Sequence, residues 1–334
     1  MNAKAENLRI GVIGVGSMGR HHIRIVSQTE GVESTGLFDP DDERAKHFCT
    51  EYGCTAHENL DNLLEATDAV IVAAPTTLHA EIGMKCLNRG IHVLMEKPLA
   101  HNVEEASKLV ESAQERNIVL MVGHVERFNP AVRKFFEVFQ TETEDIVSID
   151  ARRLMPFDGS RCMDVDVLSD LLIHDVDLAL EIAGSNVKKV SAAGRAIFST
   201  QIDTAHTRIE FENGAYAVFW TGKCSPKKAR NITVATRSRC YEADTLTPSL
   251  TVYSADQIPE NEDGICFMTD LKSERVELSN QEPLRAELEE FIDAVRGRRS
   301  PLIDGKRGLR GMQVLELVRS SILDQKEIVN EQRI

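Results

Sequence analysis

The chain has 334 residues, 42% of them hydrophobic and 28% charged, and a net charge of −14. That length suits two domains, each with a sizeable core, and no apolar run approaches the roughly 18 to 20 residues that span a bilayer. The acidic field disfavours extended contact with nucleic acid or an anionic membrane, while leaving room for a local basic pocket.

MNAKAENLRI at the start lacks the apolar stretch of a secretory signal, so a cytoplasmic chain is expected. Strands are expected at 9–13, 34–38, 69–73, 91–95 and 118–122, with weak strand character at 54–56. Helical segments fall between them at 18–28, 41–52, 60–65, 78–88 and 103–116. Gly31, Gly53 and Gly90 stand where helices should stop. Alternation at this spacing predicts an α/β fold with a doubly wound parallel sheet.

Beyond Pro130 the rhythm changes. A helix is expected at 131–139, a strand at 147–154 and a longer helix at 165–182. Strands follow without helices between them at 189–197, 204–212, 215–220, 230–236 and 250–253. Asn213-Gly214 marks a hairpin between two of these, and helices at 284–296 and 308–323 close the chain. The expected division is a dinucleotide-binding domain at 1–123 and an α+β domain at 124–334, with a largely antiparallel sheet that binds substrate and drives oligomerisation.

Chemistry concentrates at a few places. In "GVIGVGSMG", Gly14, Gly16 and Gly19 follow a strand and open a helix in G-x-G-x-x-G register, with Ser17 and Met18 completing the loop. Glycines there permit a tight turn and the approach of backbone to a pyrophosphate, whose charge meets the helix N-terminus. Asp39 ends the second strand about 20 residues on, where an acid binds ribose hydroxyls, or alternatively caps the next helix. A 2′-phosphate would face Asp39, Asp41 and Asp42 with no arginine directly behind them, so NAD is favoured over NADP. In "APTTLH", Ala74 and Pro75 lead into Thr76 and Thr77, either of which could cap the next helix, and His79 lies one turn inside it.

"LMEKPLA" ends the 91–95 strand with Glu96, Lys97 and Pro98. Ligands of a doubly wound sheet bind outside the carboxyl ends of its strands, so Lys97 would emerge beside a bound nicotinamide and stabilise an alkoxide. In "SDLLIHDVDL", Asp170, His174 and Asp177 share one helix face by their spacing. A carboxylate one turn from a histidine fixes its tautomer and suits it to general-base work, though the same pair also serves as a plain structural hydrogen bond. Seven cysteines are dispersed without a C-x-x-C pair and read as reduced thiols; no metal cluster is expected.

The glycine loop, Glu96-Lys97-Pro98, "GHVERFNP" (123–130) and Asp170-x-x-x-His174 together resemble the glucose–fructose oxidoreductase / inositol dehydrogenase / MocA family, across essentially the whole chain. The resemblance implies an N-terminal Rossmann domain and a C-terminal α+β domain whose open sheet meets another subunit as a homodimer or homotetramer. It also implies that Lys97 and His174 act on a substrate hydroxyl with Asp170 assisting, that Thr76, His79, Glu96 and Arg127 line NAD, and that Lys97–Pro98 is cis. "GHVERFNPAV" and "SPKKARNITV" are most similar to family members that oxidise the 3-hydroxyl of UDP-N-acetylglucosamine and related UDP-amino sugars.

Cations for such a diphosphate are available in Arg152, Arg153, Arg161, Lys223, Lys227, Lys228 and Arg230. The competing expectations are a dehydrogenase of a free polyol or sugar and a non-catalytic sensor, which would be expected to lack the lysine or the histidine. Val190, Ile209, Phe211, Val218, Phe219 and Trp220 suggest an exposed apolar sheet face through which copies associate.

Overall fold

The computed structural model describes residues 7–139, 145–158, 165–254 and 272–324, with the backbone of 328–329. The chain divides into two compact units, Met1–Val125 with Glu282–Met312, and Glu126–Gln281 with Gln313–Ile334. The first crossing falls close to the expected boundary, but 282–312 returns to the first unit, which the sequence division did not provide for.

In the first unit, β1 (Leu8–Ile13), α1 (Gly19–Ser27), β2 (Val32–Phe38), α2 (Asp42–Tyr52), α3 (Leu60–Glu65), β3 (Ala69–Val72), α4 (His79–Asn88), β4 (His92–Glu96), α5 (Val103–Glu115) and β5 (Leu120–Gly123) alternate. The strands form a parallel sheet in the order β2-β1-β3-β4-β5. The weak strand near Ala56 contributes a single bridge to Leu37. β3, β4 and β5 are apolar and almost wholly buried, as strands covered on both faces must be. The chain winds from β1 to β2 on one side and then to β3 on the other, so the order reverses at β1 and β3. The carboxyl ends of these strands face the crevice where such sheets take ligands.

The return of 282–312 has a plain cause. α8 (Pro283–Val295) buries Leu284, Leu288, Phe291 and Ile292, and it packs on α1, where Arg24 pairs with Glu282. The amide of Val122 then donates to Ile303. That burial outweighs the break in chain order.

In the second unit, α6 (Pro130–Phe139), β6 (Ile146–Leu154), α7 (Ile173–Ala183), β7 (Val187–Arg195), β8 (Thr204–Phe211), β9 (Tyr216–Gly222), β10 (Ala229–Thr236), β11 (Arg239–Asp244), β12 (Ser249–Ser254), β13 (Lys272–Val276) and β14 (Ile328–Val329) are joined by the later part of α9 (Gly305–Asp324). Among the described residues the sheet has nine strands, β13-β12-β11-β10-β6-β9-β8-β7-β14, antiparallel except for β6 beside β9. Gly214, with φ at +91°, turns the expected hairpin between β8 and β9. β11 and β13 were not expected, because their charged residues obscure the alternation.

One face of this sheet carries α6 and α7, and among the described residues no helix packs on the other. Val190, Ile209, Phe211 and Phe219 are buried. Only Val218 and Trp220 of the six apolar residues lie on the other side, beside Tyr216, with Arg152 over the Trp220 ring and His206 stacked on it. The exposed apolar face expected from the sequence is therefore mixed aromatic and polar, since strand period two sent most of the named residues to the covered side. Among the described residues no helix is long and apolar enough to cross a membrane.

Candidate active site

The loop after β1 is built by backbone fit. Gly14 has φ at +83°, and a Cβ on it would come within 2.9 Å of the Ala73 carbonyl oxygen. A Cβ on Gly19 would stand 1.8 Å from the Gly14 oxygen, so these two glycines close the turn and seat α1. Gly16 is different: a Cβ there would meet no heavy atom within 4 Å. Protein packing gives Gly16 no reason to be glycine, whereas close approach of a pyrophosphate to the loop does. Ser17 is exposed beside it and Met18 leads into α1. The loop fits a dinucleotide.

Asp39 is buried, and its carboxylate accepts from the Val15 amide at 2.7 Å, the Asp41 amide at 2.9 Å and Arg44 Nη2 at 2.7 Å. Burial pushes its pKa up, but the Arg44 bond and the two amides outweigh it and hold the carboxyl below its ordinary value. The helix cap is Asp41, which accepts from the Arg44 amide, so Asp39 is not the cap. An arginine does stand behind the acids, contrary to the sequence expectation. The turn of α2 brings Arg44 back onto Asp39, where its charge is already engaged.

After β3, the single turn Thr76–Leu78 and α4 begin without a side-chain cap, so neither Thr76 nor Thr77 caps. Ala74 is half-buried and Pro75 exposed. His79 is buried, with Nδ1 2.8 Å from the Pro98 carbonyl and Nε2 2.9 Å from that of Ala74. Burial lowers its pKa, and the neutral ring donates to one of these carbonyls. His79 thus ties the turn after β3 to the turn after β4. The sequence missed this staple, because its two partners are backbone atoms.

At the end of β4, Glu96 accepts from the Lys97 amide at 3.2 Å and meets His22 Nε2 at 2.8 Å. Burial raises its pKa, yet the bond to His22 and the charges of His22 and Lys97 carry it below the ordinary value. His22 is buried on α1, while its neighbour His21 is only partly covered. The Lys97–Pro98 bond is cis, as the resemblance implied, and Lys97 is half-buried.

In the second unit, α7 is preceded by a wide π turn at Leu168–Leu172 that carries Asp170. From Leu171 to Leu180 every residue is buried except His174, which is half-buried. Asp170 is buried with Lys223 Nζ 3.9 Å from its Oδ2. Asp177 bonds Arg127 Nε at 2.7 Å, and Arg127 Nη2 bonds Glu181 at 2.9 Å. Arg127 is therefore buried among acids of its own unit, and Asp177 serves it.

Adjacent Arg152 and Arg153 point to opposite faces of β6, so they cannot serve one ligand. Arg153 is buried and grips Asp175 through Nε at 3.0 Å and Nη2 at 2.7 Å, with Glu126 at 3.3 Å. Burial acts against its charge, but Asp175 and Glu126 raise its pKa further. Burial also pushes Glu126 up, and Arg153 with Arg230 overrides this and holds it low. Asp175 stays above its ordinary value, because burial exceeds what Arg153 returns. Arg230 pairs with Arg153 across β10 and β6 and remains partly exposed, 3.4 Å from Glu126. Lys227 and Lys228 are exposed, and Arg161 lies outside the described residues.

Residues 8–124 match the family model described as oxidoreductase family, NAD-binding Rossmann fold, and residues 162–329 match that family's C-terminal alpha/beta domain. The chain belongs to the Gfo/Idh/MocA family of oxidoreductases. It is an enzyme, an NAD-dependent dehydrogenase. A relative from Acidithiobacillus ferrooxidans, UDP-N-acetylglucosamine 3-dehydrogenase, is 33% identical over 318 residues, 95% of this chain and 97% of that protein. A solved structure of a UDP-N-acetylglucosamine 3-dehydrogenase from that organism superposes with a TM-score of 0.85 at 32% identity, covering 94% of this chain and 97% of that one. The myo-inositol 2-dehydrogenase of Thermotoga maritima is 25% identical over 343 residues, 98% of this chain and 100% of the relative.

Proposed function

We propose that this Gfo/Idh/MocA dehydrogenase oxidises the 3-hydroxyl of UDP-N-acetylglucosamine, or of a related UDP-amino sugar, to the 3-keto sugar. The observation that carries this is the 33% identity with a UDP-N-acetylglucosamine 3-dehydrogenase along 95% of the chain, through both domains. The glycine loop, Asp39 and the turns carrying Ala74, Thr76 and Glu96 would hold NAD, which supplies the hydride acceptor when bound. Lys97 is assigned to stabilise the developing alkoxide and His174 to take the hydroxyl proton. Asp170, braced by Lys223, orients His174.

The diphosphate is assigned to the cations of 227–230. Arg230 is the member of the Arg153–Arg230 pair with exposed area, and Lys227 and Lys228 lie in the same segment. Arg153 then braces Glu126 beside Arg230 instead of meeting the ligand, and Arg127 fixes α7 through Asp177. Copies of the chain are proposed to associate through the open sheet face around Tyr216 and Trp220, as a homodimer or homotetramer, in a cytoplasm that supplies NAD.

A second reading, oxidation of a free polyol, has support in the full-length likeness to a myo-inositol 2-dehydrogenase. A sensor without catalysis would not need both Lys97 and His174. The test is NADH formation from NAD with UDP-N-acetylglucosamine, free N-acetylglucosamine and myo-inositol at equal concentration. The nucleotide sugar should give the highest kcat/KM, and an uncharged compound equal to it would establish the polyol reading.

A further inference from the structure

One end of the second unit's sheet shows large apolar side chains to solvent on a backbone that is firmly fixed. In the loop between β7 and β8, Ile197 is 54% and Phe198 51% exposed. The buried Asp203 holds that loop. Its carboxylate accepts from the amides of Ile197 at 2.7 Å, Phe198 at 2.7 Å and Ser199 at 3.0 Å, and from Ser199 Oγ at 2.9 Å. Phe157, half-buried just beyond β6, sets its ring 4.7 Å from that of Phe198 with 31° between the planes. A loop that only joined two strands would be served by polar residues, such as Ser199 and Gln201 beside it. Exposed aromatic surface on a preorganised backbone marks a contact with something else.

The loop is fastened to both parts of the proposed substrate site. On one side the Val167 amide donates to the Ile202 carbonyl at 3.0 Å, just before the π turn that carries Asp170. The Lys223 amide donates to the Asp203 carbonyl at 2.8 Å, and Lys223 Nζ stands 3.9 Å from Asp170. On the other side, Phe157 follows Met155 by two residues, and the Met155 carbonyl accepts from the Ser225 amide at 3.3 Å. Ser225 Oγ in turn donates to the Lys227 carbonyl at 2.8 Å, closing the turn on which Lys227 and Lys228 are exposed. Met155 thus joins a stacked aromatic pair to a turn of exposed lysines, in a chain whose net charge is −14. An aromatic ring offers its face to a planar base, and ammonium groups offer charge to phosphate.

We propose that Phe198, backed by Phe157, is the platform on which the pyrimidine ring of the substrate stacks, and that it determines specificity for the nucleotide half of the molecule. The proposal deepens the reading of the substrate as a UDP-sugar and rests on it. An aliphatic ligand would leave the neighbouring lysines unused. A second copy of the chain is a poorer occupant, because a stable interface buries about 800 Å² on each partner, more than three side chains present.

The full-length protein and its F198A, F198L and F198W variants test this by calorimetric titration with UDP and with inorganic pyrophosphate, beside melting curves. NAD is held at saturation throughout, so that neither probe enters the dinucleotide loop. F198A should bind UDP about 5- to 100-fold more weakly than wild type. F198L should lose nearly as much, and F198W should stay within about threefold, since stacking needs a π face and not merely apolar area. Pyrophosphate affinity should stay within about twofold in all three, because the lysines are untouched. The melting temperature should hold, Phe198 being half-exposed.

F198A binding UDP as tightly as wild type overturns the proposal, and dissociation of that variant in light scattering would then give the patch to a second copy. An equal loss for UDP and pyrophosphate overturns it too, since Phe198 would then act through the cations. Should F198A not fold, the contrast of F198L with F198W still decides it. Wild type that oxidises a free sugar or polyol but takes up no UDP refutes the UDP-sugar reading and the platform with it. Wild type that binds UDP, beside an F198A that binds it equally, refutes the platform alone.

Discussion

Gly16→Ala separates a loop shaped by packing from a loop shaped by its ligand. An added Cβ meets no heavy atom within 4 Å, and the residue does not need a positive φ. The fold should accept it, with a gain of about 0.4–1 kcal/mol from the less flexible unfolded chain. For a unit of this size that is a rise of roughly 1–4 °C in melting temperature. The same methyl occupies the space a pyrophosphate would use and should cost at least one charge-assisted hydrogen bond, about 1.5–3 kcal/mol. NAD affinity should fall about 10- to 100-fold, read by calorimetric titration beside a melting curve. Gly19→Ala is the contrast, because its Cβ would stand 1.8 Å from the Gly14 oxygen, so stability and binding should fall together. If Gly16→Ala bound NAD as tightly as wild type, the assignment of this loop to the dinucleotide would be wrong.

Lys97→Met and His174→Ala should each lower turnover by roughly 10² to 10⁴ while leaving NAD affinity within a few-fold, and near-normal turnover in either removes its catalytic role. Asp39→Ala should narrow the preference for NAD over NADP by releasing Arg44 from its 2.7 Å bond, and an unchanged affinity ratio counts against the ribose role. Arg153→Met strands Asp175 and Glu126 in the interior and should cost about 3–5 kcal/mol in denaturant unfolding. Adding Asp175→Asn and Glu126→Gln should recover part of that loss. No recovery would mean that Arg153 acts by packing alone.

The first unit was largely legible because its signals are local. Strand–helix alternation, the glycine register, Asp39 at a strand end and the Glu96-Lys97-Pro98 turn each fit inside a short window, and the structure has them in those places. The Asp170-x-x-x-His174 spacing is a local signal too, and the structure has Asp170 in the turn before α7 and His174 in its first turn. What escaped depends on partners distant in sequence. His22 bonds Glu96 from 74 residues away, and no window joins them. The return of α8 to the first unit is decided by which apolar face it finds, which helix periodicity cannot specify. Arg152 and Arg153 were grouped as one basic cluster, although strand period two separates adjacent residues by a whole sheet face. Arg44 was overlooked because its contact with Asp39 needs the first turn of α2 to be closed.

The most direct test of the central claim is hydride origin. UDP-N-acetylglucosamine deuterated at C3 of the sugar is incubated with the enzyme and NAD, and the NADH formed is analysed by mass spectrometry. Oxidation at the 3-hydroxyl predicts that the deuterium appears in NADH and that the sugar product is the 3-ketone. Unlabelled NADH, with the deuterium retained in the oxidised sugar, would contradict the account.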